Sequence, residues 1–350
     1  MNKPLYDFDT AYEWASQAPT RAKDKKPHLL LGNGFSIAYN PSIFSYNALL
    51  QHISNKNSIT PTAKALFKKL QTSDFETVIN YLSITASTLK IIDAKQYQTL
   101  IEALNAEEEA LKNSLAEALA TLHPDRPMNI NDQSYLNVRN FINKHKKIYT
   151  ANYDLLLYWT LMQDDPNEEF KASDDGFRSP EELEEYVVWN SLNPYDQDLY
   201  YLHGALHLFR DISKAELKKL TWKRTKQALI EQIRGELGQN NFPLLITEGS
   251  SEEKLSKIQT SDYLSRGLRS LASAGGGAVA YGLSFSANDA HIMKAIQESG
   301  IRRLAVSIFG AINDDKNAET KAAIRELAEK RPDHKSLDIA FFDATSVSLW

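Results

Sequence analysis

The stretch His28-Leu29-Leu30-Leu31-Gly32-Asn33-Gly34-Phe35-Ser36 decides the fold class. Adjacent leucines without polar alternation describe a short strand buried on both faces, the pattern of parallel sheets covered by helices. The strand runs straight into a turn whose two glycines admit conformations that a side chain resists. Two glycines also let a backbone approach a pyrophosphate, whose charge nearby N–H groups can hold. Ser36 adds a hydroxyl donor. The dinucleotide fingerprint asks for a third glycine, where this chain has Ile37. An ordinary tight turn accounts for the same residues equally well.

Working outward, residues from about Ser45 to His123 carry a helical pattern. Phe75, Val78, Ile79 and Leu82 recur on one face, and Gln96 to Leu122 has neither Gly nor Pro. Its Glu107-Glu108-Glu109 run reads as a solvated face. Residues 45–145 are therefore expected to form a helical insertion after the first strand. Strands are then expected at Lys146–Asn152, Tyr186–Trp189, Leu199–Leu202, Phe242–Thr247, Ala278–Gly282, Leu304–Phe309 and Leu337–Phe342. Helices are expected at Asp154–Met162, Ser213–Gly238, Glu252–Ile258, Asp262–Ala272, Asp289–Glu298 and Ala318–Lys330. Asp164 to Pro180 reads as an exposed loop. The alternation predicts an α/β fold: a Rossmann-like, mostly parallel sheet flanked by helices, in a single domain over residues 1–350.

Composition narrows the function. With 42% hydrophobic residues the chain can build a core,. A formal net charge of -5 gives no basic face for nucleic acid,. The absence of cysteine removes disulfides, thiolate zinc sites and a cysteine nucleophile,. The first residues lack the apolar segment of a secretory signal, and no apolar run approaches the ~20 residues that span a bilayer. A cytoplasmic protein without a membrane partner is expected. No ligand spacing along the chain points to a metal, and none is expected.

Three further motifs follow strands, where open parallel sheets bind ligands. In Asn152-Tyr153-Asp154, Asn152 and Asp154 can hydrogen-bond ribose hydroxyls or an attacking water; a helix cap is the plainer use of both. In His203-Gly204 the imidazole titrates near neutrality and can act as general base, although a lone histidine is more often structural. His207 is less well placed. Tyr281-Gly282-Leu283-Ser284-Phe285-Ser286-Ala287-Asn288-Asp289 could cradle phosphate or ribose, or simply begin a helix capped by Ser286 or Asn288.

Taken in order, these motifs resemble the sirtuin-like superfamily, in which a Gly-rich loop, an Asn motif, a His-Gly pair and a late Gly-Ser loop follow one another. The likeness is closest to bacterial sirtuin-like proteins, including NAD-hydrolysing effectors of antiphage defence, whose helical segment tends to carry an Asp-Phe-Glu motif, here Asp74-Phe75-Glu76. Asn152 to Trp159, and Glu248-Gly249-Ser250 with Lys254-Leu255, look like a less characterised bacterial branch. The resemblance runs from about Leu29 to Phe309. It implies NAD+ as substrate, with Gly32, Asn33, Gly34 and Ser36 along the pyrophosphate. It places Asn152 at the nicotinamide ribose and the water, Asp154 near the nicotinamide end, and His203 as the catalytic histidine. Gly282, Ser284 and Asn288 fall on the adenosine side.

Two departures narrow the expected reaction. The four-cysteine zinc module of protein-deacylating sirtuins cannot exist here. Their Pro-Asp-Phe-Arg stretch is replaced by Ile37-Ala38-Tyr39-Asn40-Pro41. Water is then the simplest acceptor, giving an NAD+ glycohydrolase that depletes NAD+ in antiphage defence. Alternatives are a cyclising NAD-consuming enzyme, a non-catalytic sensor of NAD or ADP-ribose, and an interaction module docking through Gln96 to Leu122. A second copy of the chain or an activating protein is the expected partner of a toxic hydrolase.

Overall fold

A computed structural model describes residues 5–20, 22–56, 59–163, 173–180, 186–190, 197–211, 216–221 and 227–350. Its strands are β1 (His28–Leu31), β2 (Ile148–Thr150), β3 (Phe177–Arg178), β4 (Tyr186–Trp189), β5 (Leu199–Tyr201), β6 (Leu208–Asp211), β7 (Glu216–Leu220), β8 (Gly275–Tyr281), β9 (Gly300–Ile308) and β10 (Asp338–Asp343). Six of them form one parallel sheet in the order β10-β9-β8-β1-β2-β5. Counted within that sheet, the order is the doubly wound 3-2-1-4-5-6, and its direction of winding reverses between β1 and β8.

The leucine run is buried as its composition requires. Leu29 and Leu31 join the core on one face of the sheet, and Leu30 joins the core on the other. The helical insertion is also present. Helices Tyr46–Asn55, Pro61–Leu70, Phe75–Asp93, Gln98–Leu122 and Asp132–Asn143 lie between β1 and β2. Phe75, Val78, Ile79 and Leu82 all face the core, as their spacing predicts.

Three expectations fail in whole or in part. Among the described residues, the helix expected over Ser213–Gly238 is helical only at Leu229–Gly238; Glu216–Leu220 is β7, and residues 213–215 and 222–226 lie outside the described residues. The polar Glu-Leu-Lys-Lys-Leu sequence is claimed by pairing with β4 and β6, so tertiary context overrides local propensity,. These strands and β3 make a second, antiparallel sheet in the order β3-β4-β7-β6. Tyr186–Trp189 therefore belongs to that sheet rather than to the parallel one. Residues 164–172 of the expected loop lie outside the described residues, and its Phe177–Arg178 end is strand.

The strand expected at Phe242–Thr247 does not form either. Its backbone is spent on the turn after β5: Ala205 N–H donates to the Leu244 carbonyl at 3.1 Å, and Ile246 N–H donates to the His203 carbonyl at 2.9 Å. A Cβ on Gly204, whose φ is +77°, would stand 1.8 Å from the Leu244 oxygen.

The switch point is closed by backbone alone. Gly34 N–H donates to the Gly282 carbonyl at 2.9 Å, and Gly32 N–H donates to Tyr281 at 3.0 Å. A Cβ on Gly34 would approach the Gly282 Cα to 2.5 Å, and Gly282 itself holds φ +69°. Gly34→Ala is expected to lower stability by roughly 1–3 kcal/mol. The reading is a lower urea midpoint with an unchanged slope; an unmoved midpoint would show that the two loops part freely.

Candidate functional site

The turn after β1 and the turn after β2 meet through side chains. Ser36 Oγ donates to Asp154 Oδ2 at 2.5 Å and accepts from Asn152 Nδ2 at 2.9 Å. Asp154 Oδ1 accepts the Leu156 N–H at 2.9 Å. Both Asp154 oxygens are therefore engaged within the fold, and burial raises its carboxyl above the ordinary aspartate value. Asn152 N–H donates to Thr150 Oγ1 at 3.1 Å, while Asn152 Oδ1 is buried without a hydrogen-bond partner. A buried carbonyl oxygen left unpaired costs free energy, so its presence calls for an explanation. The Asn152 amide is clamped at its nitrogen and free at its oxygen.

The glycine turn behaves differently from a vacant phosphate cradle. The Gly32, Gly34, Phe35 and Ser36 amides all donate to backbone carbonyls of the two turns. Asn33 Nδ2 donates to the Phe44 carbonyl at 3.1 Å. On the other side, Ser284 is exposed, and its carbonyl accepts from Thr320 Oγ1. Ser286 takes the N-cap position of the 3-10 turn Ala287–Asp289 without a side-chain capping bond, and Asn288 caps no helix; its Nδ2 donates to Glu76 Oε2 at 3.5 Å.

Beside these turns lies a buried ionic cluster. The Lys254 ammonium, fully buried, donates to Glu76 Oε2 at 2.8 Å and to Asp289 Oδ1 at 3.1 Å. Burial pulls the Lys254 pKa down, but Glu76 and Asp289 outweigh it and raise it above the ordinary lysine value. Burial lifts the Glu76 carboxyl to about 7 against the pull of Lys254. His203 Nε2 meets His291 Nε2 at 2.8 Å and stands 3.8 Å from Asp289 Oδ1. His291 Nδ1 pairs with Ser251 Oγ at 3.1 Å. Tyr153 lies between the two groups of residues: its hydroxyl donates to the Ile246 carbonyl at 2.6 Å, and its ring centroid is 6.4 Å from that of His203.

Sequence reasoning singled out Asn152, Asp154, Ser36 and His203, and the structure joins the first three in one hydrogen-bonded chain through Ser36. It named Glu76 only as part of a motif and Lys254 only as part of a segment. It missed Ser251 and His291, because a serine at a helix start and a histidine inside a helix look structural. His207, the rejected competitor, is wholly buried against Tyr158 and Tyr201, with neither ring nitrogen hydrogen-bonded.

The clefts found elsewhere do not coincide with this chemistry. One of about 340 Å³ is lined by Ala86, Lys90, Gln98 and Ile101, and another of about 550 Å³ by Asn47, Ile59, Lys64 and Phe67. Both belong to the helical insertion. Asn152, Asp154, His203, Lys254 and His291 are all buried, so in this conformation the cluster is closed. No described helix is long and apolar enough to cross a membrane.

Residues 29–350 match the family described as "Domain of unknown function (DUF4917)", and the chain belongs to that family. No curated protein matches the chain.

Burial sets a pH dependence. It drives His28, His123 and His291 down to about 4, His145 to about 3, and His203 and His207 well below the ordinary value. As pH falls below about 6.5, the unfolded chain takes up protons that the folded chain refuses, so stability is lost on acidification. Glu76 acts in the opposite sense: its contribution weakens as pH rises from about 4.5 through 7. The imidazoles outnumber it, each supplying roughly 1.4 kcal/mol per pH unit across its own window. The urea midpoint is expected to rise steadily from pH 5 to pH 7. A flat profile would mean that these histidines are not held neutral.

Proposed function

We propose that the chain is an NAD+ glycohydrolase, releasing nicotinamide and ADP-ribose. One observation carries this reading: the Asn152 amide, locked by Ser36 and Asp154 at the carboxyl edge of a doubly wound sheet, turns an unpaired buried oxygen toward no protein partner. Open α/β sheets bind ligands in the crevice outside the carboxyl ends of their strands. A ribose hydroxyl or a water molecule is the donor that such an oxygen lacks.

In the reaction, the bond between ribose C1′ and the pyridinium nitrogen breaks. Its electron pair passes to nicotinamide and neutralises the ring. The ribose passes through an oxocarbenium-like state. Asn152 holds the ribose or the water, Asp154 holds Ser36 and Asn152 in place, and preorganisation removes the cost of aligning them. Neutral His203 accepts the proton lost by the water as the C1′–O bond forms. Gly32, Gly34, Gly282, Ser284 and Asn288 line the route expected of the rest of the dinucleotide. Because the cluster is closed, turnover requires the two glycine loops to separate.

A cytoplasmic defence role for this activity follows from the sirtuin-like resemblance. Restraint by a second copy or an activating protein is consistent with Ile84, Ile91, Ile92 and Leu100, which are exposed around the junction of helices Phe75–Asp93 and Gln98–Leu122. The closed site also favours a second reading, a sensor of NAD or ADP-ribose that binds without turnover.

Chromatography of NAD+ and nicotinamide separates the two readings. The wild-type chain is expected to release nicotinamide, with losses of roughly 10²–10³-fold for Asn152→Ala and 10²–10⁴-fold for His203→Ala. Wild-type rates in both folded variants would reject the site. Ligand-dependent thermal stabilisation without product would identify a sensor instead.

A further inference from the structure

Two ring nitrogens 2.8 Å apart cannot both present lone pairs to each other. The contact is either an N–H···N hydrogen bond between two neutral rings, one of them carrying its hydrogen on Nε2, or a pair of nitrogens poised around one metal cation,. A third donor is at hand. Asp289 Oδ1 stands 3.8 Å from His203 Nε2, and one ligand atom from each of His203, Asp289 and His291 lies within 4.8 Å of the others. Tetrahedral zinc with bonds of about 2 Å keeps its ligands about 3.3 Å apart. The observed 2.8 and 3.8 Å lie on either side of that spacing, about half an ångström from it.

We propose that His203, Asp289 and His291 form a binding site for a divalent metal of the zinc class. No metal site is assigned to this chain by any motif in its sequence. The fold supplies what such a site needs. His203 comes from the turn after β5, which the Leu244–Ile246 segment clamps through hydrogen bonds to Ala205 and His203. Asp289 and His291 flank the first residue of helix Ala290–Glu298. The outer nitrogen of His291 is held by Ser251 Oγ, whose position is fixed in turn by the His291 N–H at 2.7 Å. Such outer partners orient a ligand ring and tune its basicity.

Lys254 bridges Glu76 and Asp289 beside the site. Metal and ammonium compete for Asp289 Oδ1, and Lys254 keeps Glu76 as its partner at 2.8 Å. Two imidazoles and one carboxylate leave a fourth position open for water or another oxygen donor. The site uses His203, the residue to which the hydrolase reading gives proton transfer. A loaded chain therefore cannot use His203 as base.

The test is cobalt titration of the metal-stripped full chain, without NAD+. One saturable Co2+ per chain is expected, with visible d–d bands that Zn2+ displaces, and zinc is expected to raise the thermal midpoint. His291→Ala and the near-isosteric Asp289→Asn are expected to lose the bands. Ser251→Ala is expected to weaken binding about 10–100-fold. His334→Ala, at an exposed histidine, serves as the unaffected control. Bands that survive His291→Ala would overturn the site. So would a wild-type chain that binds neither cobalt nor zinc, in which case nitrogen-detected NMR is expected to show one proton shared by the two rings. A chain that binds metal but does not cleave NAD+ in its metal-stripped form would keep this site and remove only the hydrolase reading.

Discussion

The carboxyl edge of the sheet depends on one contact, the approach of the backbone at Gly32–Gly34 to the backbone at Gly282. Strands β1 and β8 are neighbours in space, and each ends in a turn that must pass the other. No side chain fits between them. The hydrogen bonds that cross this gap help place Ser36 beside Asn152 and Asp154, because Ser36 lies two residues beyond Gly34 in the same short helix. A pair of glycines first read as room for a phosphate is therefore, in this conformation, room for another strand's turn.

The second constraint is electrostatic. Lys254 is buried with two carboxylates, one from the helical insertion and one from the turn after β8. A buried charge is tolerated only when paired, and losing a partner costs far more than the pair contributes. Glu76 thereby ties helix Phe75–Asp93 to the edge of the sheet. Lys112 does the same from the next helix, reaching Glu248 at 3.5 Å. The insertion packs onto the candidate site through charge as well as through apolar contact.

Much of the fold was legible. The leucine run announced a strand buried on both sides, and Phe75, Val78, Ile79 and Leu82 announced their helix face. What misled was short and context-bound. Glu216–Leu220 has the composition of a solvated helix and becomes a strand because two neighbours need a partner. Phe242–Thr247 has the composition of a buried strand, yet its amides and carbonyls serve the His203 turn. In the site, Asn152, Asp154 and His203 stood out because each follows a strand. The partnership of His203 with His291 was invisible, since 88 residues separate them and only the parallel stacking of β5, β2, β1 and β8 folds that distance away.

The order of strands also carries a clock. Strand β1 is at the centre of the sheet, between β2 and β8, yet β8 follows it in the chain by some 240 residues. At ~5–20 residues per second of synthesis, roughly 12–50 seconds separate the appearance of the two. For that interval the leucines of β1 have no partner on one side, and the glycine turn has nothing to close against. The last third of the chain completes the middle of the sheet, so truncation there strips the protein of its centre as well as its edge.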